Sequence, residues 1–117
     1  MSSFGCKSKS TSFIDNDSQA LSPQSCREEI SLSPLEKALE HCNKVIKAHK
    51  ENPEPLNDRA LIYTLMNQID LACKDSFKAF KIINNQKVKA DPLVFHEIKV
   101  RHDSCMHRRN IEDKESR

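Results

Sequence analysis

Glycine is almost absent from this chain of 117 residues, with Gly5 the single example. Loops that cradle a phosphate and dinucleotide fingerprints need several glycines to bring the backbone close to a ligand, so both devices are excluded. No apolar run of about 18 residues or more is present, and no hydrophobic leader precedes the body of the chain; neither a membrane span nor secretion is expected. Cys6 follows Ser-Phe-Gly with no apolar stretch before it, so a lipid-anchored cysteine is not expected either. Net charge is also scarce. The formal value of +2 is too small by itself to imply a nucleic-acid or acidic partner. Cysteine is present five times, an odd number without the spacing of a disulfide framework. The expectation is that these are small buried hydrophobes, free as thiols in a reducing cytoplasm, with Cys42 and Cys73 on packed helix faces.

What the chain does hold is helical periodicity. Hydrophobic residues make up 37% and charged residues 31%, enough for one small core. Residues 1–32 read as a disordered, serine-rich tail, because scattered apolar residues such as Phe4, Phe13 and Ile14 cannot offset the entropy of ordering. The tail leaves room for a short docking motif around Phe13 and Ile14, and for a brief helix over 22–29. A helical domain is expected over 33–110, with a charged, frayed end over 111–117. Its first helix has a start signal in Ser33 as N-cap, Pro34 at the first helical position and Glu36 behind them. Leu35, Ala38, Leu39, Cys42, Val45, Ile46 and His49 form its apolar stripe, and Asn52-Pro53 should stop it.

Pro53 and Pro55 suit the first turn of a second helix running to about Met66, on which Leu56, Ala60, Tyr63 and Thr64 share a face. After the break at Asn67 and Gln68, a third helix places Ile69, Ala72, Cys73, Ser76, Ala79, Phe80 and Ile83 on one side. Asp91-Pro92 opens a fourth helix bearing Leu93, Val94, Phe95, Ile98, Cys105 and Met106. It reads as a terminal cap with one apolar side.

The stretch from Pro53 to Gln86 resembles a tetratricopeptide repeat. Small residues stand at Ala60, Ala72 and Ala79, Tyr63 holds the aromatic site, and Asn57 to Ala60 is similar to a common variant of the first helix. Sliding the chain by about 34 residues, the period of that family, lays Leu35 on Ile69, Ala38 on Ala72, Cys42 on Ser76, Val45 on Ala79 and Ile46 on Phe80. Three positions depart from the pattern: Asn67 replaces a turn glycine, Ser76 an aromatic and Asn84 a proline. On the fourth helix Glu97 replaces a second aromatic. The same register puts the first helix of an earlier repeat at 19–32, half lost, with Pro23 inside it and Cys26 and Glu29 at the small and aromatic sites.

The resemblance implies an all-α, tetratricopeptide-like hairpin array of about four helices that binds a protein or peptide as an adaptor or assembly factor. Leu35, Ala38, Cys42, Val45, Ala60, Tyr63, Ala72, Ser76, Ala79 and Phe80 would pack the repeats. The concave side would offer Glu54, Asn57, Asp58, Leu61, Thr64 and Leu65 to the partner. Some family members hold a terminal carboxylate there with lysine, asparagine and arginine. Asp58 beside Asn57, and the missing lysines, disfavour that here. Arrays of this kind need about three repeats for stability, so a homodimer or completion by a partner is expected.

Two rival chemistries are visible. Lys44, Lys47, Lys78 and Lys81 recur at the repeat period and could contact RNA, but Glu40, Asp70 and Asp75 intersperse them and no exposed aromatics accompany them, so a solvated outer face is expected and nucleic acid is disfavoured. His96, His102, Cys105 and His107 crowd the fourth helix, and His102 and Cys105 are spaced to share a metal. A second ligand pair is missing, so no metal or other cofactor is expected. No paired carboxylate, histidine or activated nucleophile suggests catalysis, and enzyme activity is not expected.

Overall fold

The computed structural model describes residues 21–85 and 91–115. All regular structure among the described residues is helical: α1 (Ser25–Leu32), α2 (Leu35–Ala48), α3 (Pro53–Leu65), α4 (Ile69–Asn85) and α5 (Pro92–Glu115). No described helix is long and apolar enough to cross a membrane. Phe4, Phe13, Ile14 and Cys6, with most of the serine-rich tail, lie outside the described residues, as does much of the connection before Asp91.

The local signals explain most helix ends. Asn52 caps α3 by accepting from the Glu54 N–H at 2.9 Å, with Pro53 and Pro55 in the first turn where their missing N–H groups cost nothing. Asp91 caps α5 in the same way, accepting from Leu93 N–H at 2.8 Å. Between α3 and α4, Asn67 adopts a left-handed backbone at φ 61°. Gln68 N–H reaches back to Tyr63 O at 2.7 Å and Asn67 N–H to Thr64 O at 3.0 Å, the pair of bonds that closes a helix around a left-handed residue. Asparagine therefore fills the turn where the repeat pattern uses glycine, because its short side chain tolerates that conformation.

Three expectations need correction. Ser33 does not cap α2 with its side chain; its N–H is engaged by Glu29 O at 3.0 Å as the end of α1, and Pro34 takes the cap position. The first bond of α2 runs from Ala38 N–H to Pro34 O at 3.0 Å, which puts Ser33 one residue ahead of the cap position. The helix allowed over 22–29 runs Ser25–Leu32 instead, with Pro23 just ahead of it and Cys26 wholly buried. The expected end of the last helix near Asn110 is passed, and α5 continues to Glu115, supported by Arg108 and Glu112 one turn apart at 3.2 Å.

Helix α3 is the hub. It packs on α1, α2, α4 and α5, which is why its buried residues, among them Leu56, Asn57, Asp58, Ala60 and Ile62, run around it rather than along one stripe. Ile62 joins Cys26, Ala38 and Cys42 in one apolar cluster, and Leu56 joins Ala79 and Ile98 in another. Of the residues expected to pack the repeats, Ala38, Cys42, Val45, Ala60, Ala72, Ser76 and Ala79 are buried, and Leu35, Tyr63 and Phe80 are half-buried. On the far side of α3, Arg59 grips Asp75 of α4 through two bonds of 2.7 Å and reaches Asn43 of α2 at 2.9 Å.

The cysteines are also corrected. Cys26 is bonded to Cys42, joining α1 to α2, and Cys73 to Cys105, joining α4 to α5. Sequence separations of 16 and 32 conceal these pairs, because the helix turns that bring them together are not visible as cysteine spacing. Each cross-link of such length restricts the unfolded chain by about 3 kcal/mol.

Two outcomes are expected. Alkylating the denatured, unreduced chain leaves Cys26, Cys42, Cys73 and Cys105 unlabelled by mass spectrometry, and all four are labelled after reduction. Asn67→Gly holds or raises stability toward urea, whereas Asn67→Val lowers it by about 1 to 2 kcal/mol because a β-branched residue resists the left-handed turn.

Candidate functional site

Helices α1, α3 and α5 meet along one face, and charged side chains fill the meeting line. Arg27 of α1 donates from Nε to Asp58 Oδ1 at 3.0 Å and from Nη2 to Glu97 Oε1 of α5 at 2.7 Å. Asn57 donates to the same Glu97 oxygen at 2.9 Å and accepts from Arg101 Nε at 3.2 Å. Glu54 is half-buried beside them. Three carboxylates, Glu54, Asp58 and Glu97, thus face two guanidiniums.

The imbalance falls on Asp58. Its side chain is 2% exposed, and its Oδ2 is buried without a hydrogen-bond partner. Burial outweighs the attraction of Arg27 and pushes the carboxyl up to about 6, with Glu54 and Glu97 adding repulsion. Burial likewise raises Glu54. Glu97 is partly desolvated, but hydrogen bonds from Arg27 and Asn57 win and hold it below the ordinary range. Arg101 is lowered, first by burial and also by Arg27 nearby.

Beside this junction an apolar groove of about 480 Å³ opens between the end of α3, the start of α4 and the middle of α5. Ile69, Ala72, Val100 and the Cys73–Cys105 bridge line it, together with Glu97 and Arg101, which also belong to the charged junction. Ser76 also lines it, 1% exposed and with an unpartnered hydroxyl. The two positions where the repeat pattern wants an aromatic ring, Ser76 and Glu97, therefore line one cavity.

The residues expected to face a partner divide. Thr64 and Leu65 are exposed, Leu65 at 56%, and Leu61 and Glu54 are half-buried. Asn57 and Asp58 are buried in the junction, so they hold helices together and present nothing to solvent. Lys44, Lys47, Lys78 and Lys81 are exposed on α2 and α4. The His102 and Cys105 pair is not available to a metal in this state: Cys105 is disulfide-bonded, and His102 stacks on Phe80 at 3.9 Å. His96 and His107 are exposed.

Arg27, Glu97 and Arg101 were not visible as site residues, since a charge in a helix ordinarily marks a solvated face. The usable signal was Glu97 at a position otherwise aromatic. No protein-family model, curated protein or solved structure matches the chain.

The titration of Asp58 has a readable consequence. The folded chain keeps this proton to about pH 6, against an ordinary value of 3.8, so the contribution of Asp58 is fully present below pH 3.8 and is lost as the pH rises through 6. Glu54 acts in the same sense and Glu97 in the opposite one, so a comparison with Asp58→Asn isolates the group. Between pH 3.5 and 7 the unfolding free energy of the native chain is expected to fall relative to that variant by roughly 2 to 3 kcal/mol; parallel pH profiles would remove Asp58 as the cause.

Proposed function

We propose that this chain is a non-catalytic protein-binding module, an adaptor or assembly factor built in the manner of tetratricopeptide repeats. The observation that carries the reading is the alternation of helix contacts. Each helix packs on the next, and the odd-numbered helices also touch one another, α1 with α3 and α3 with α5. A stack of 34-residue hairpins brings its first helices together on one side in this way. In this reading α1 and α2 form one repeat, α3 and α4 a second, and α5 is the first helix of a third that has no second helix among the described residues.

The shared side is where a partner binds. It joins the exposed Thr64 and Leu65 to the groove beside Arg101. The last helix also leaves Leu93, Val100 and Ile111 exposed at 75%, 51% and 42%. Spacings of seven and eleven put these three on one line, a stripe that a second copy or a partner helix can cover. The two disulfides tie the outer helices to their neighbours, and they favour a setting where thiols are oxidised over the reducing cytoplasm.

A photo-crosslinking residue tests the side used. Placed at Leu65, it is expected to yield a protein adduct in the native cell, and placed at Lys78 on α4 it is expected to yield none. Adducts at Lys78 that disappear on ribonuclease treatment would instead favour an RNA-binding lysine face.

A further inference from the structure

The inference that follows rests on the protein-binding reading and specifies what the groove takes. Three observations in one place bear on it. The walls are aliphatic, from Ile69 and Ala72 on α4 and from Val100 on α5, and Val100 remains 51% exposed although it sits at the mouth of a cavity. The Ser76 hydroxyl beneath is buried and has no hydrogen-bond partner. With that oxygen closed off from the surface, Ser76 contributes its small size, leaving depth in the groove where a larger side chain would fill it.

The third observation is Arg101. It is half-buried and, among the described residues, makes one hydrogen bond, from Nε to Asn57 Oδ1 at 3.2 Å; Glu97 and Asp58 attract it from beyond ion-pair distance. Its natural counter-ions are engaged by another cation: Arg27 holds Glu97 at 2.7 Å and Asp58 at 2.9 Å. The planar end of Arg101 is thus short of an acceptor at the edge of an apolar groove. Arg108 borders the same groove farther along α5, with Glu112 at 3.2 Å and Asp70 at 3.8 Å as its anions. Arg108 is balanced by these two anions and Glu97 is held by Arg27, so the spare hydrogen-bonding capacity lies on Arg101, where an acidic ligand gains a charge-assisted partner.

We propose that the groove between α3, α4 and α5 receives an internal segment of a partner protein whose apolar side chain lies on Ile69, Ala72 and Val100 and whose neighbouring Asp or Glu carboxylate pairs with Arg101. The charged junction behind Arg101 fixes its position before the partner arrives, through Asn57 and the Arg27–Glu97 pair. The carboxylate is that of a side chain, so a free chain end is not required.

The test uses the full chain, immobilised, and a random library of hexapeptides acetylated at the N-terminus and amidated at the C-terminus. The expected result is enrichment of Leu, Ile, Val or Phe next to Asp or Glu. Fluorescence polarisation of the selected peptides is then expected to show affinity losses of about tenfold or more for Arg101→Met, by removal of the charge-assisted bond. Val100→Trp, a filling of the groove at an exposed position, is expected to weaken binding similarly, and Lys78→Met to leave it unchanged. Helicity and melting of each variant are measured alongside; should Arg101→Met fail to fold, Val100→Trp alone decides. Selection of basic peptides, or of peptides indifferent to the folded groove variants, would overturn this assignment and leave the protein-binding reading standing. A library that yields no binder would sink both.

Discussion

The Arg27 guanidinium, shared between Asp58 and Glu97, is the contact on which the inner face of this protein depends. It joins α1, α3 and α5 across separations of 31 and 70 residues. The components differ in worth. Arg27 and Glu97 are about two-fifths exposed, where an ion pair contributes at most about 1 kcal/mol, while Asp58 is almost fully buried, where loss of its partner leaves a charge with little solvation. The junction therefore acts chiefly as a register device. A slip of α1 or α5 along α3 would strand the buried carboxylate, so one alignment of the three helices is selected even though the net stabilisation is modest.

That register shapes the groove. With Glu97 held against Asn57, α5 is pinned close to α3 at one end, and the cavity opens farther along, over Ala72 and Ser76. Neither Ser76 nor Glu97 fills the space with a bulky apolar side chain. Here one position holds a small hydroxyl and the other a carboxylate turned toward Arg27. These two side chains thus leave a cavity with a polar wall beside it, and Glu97 ties the cavity's charged end to the framework. The groove is walled by helices whose spacing the junction sets.

Much of the helical architecture was legible in the sequence. Proline positions and the Asn52 and Asp91 caps mark helix starts, because the physics of a helix end involves only a few neighbouring residues. The break at Asn67 is likewise local, and asparagine tolerates the left-handed backbone that the turn requires. The short α1 was harder to read. Pro23 and a run of polar residues hide a helix that is secured by tertiary contacts: His49 bonding Leu21 O at 2.6 Å, His41 bonding Ser25 Oγ at 2.9 Å, and Cys26 bonded to Cys42. The site was less legible still. Asp58, Asp75 and Asn57 read as surface residues because their partners, Arg27, Arg59 and Arg101, are 16 to 44 residues away, and periodicity carries no record of such pairings.

The most direct test of this account is a double-mutant cycle between Arg27→Met and Asp58→Met, read as unfolding free energy in urea at pH 7 with the disulfides intact. If the pair sets the register of the inner helices, the two changes are coupled by about 1 kcal/mol or more, and the double variant is more stable than the sum of the single effects requires. Additive effects, within about 0.3 kcal/mol, would mean that Arg27 and Asp58 act independently and that something else aligns α1, α3 and α5.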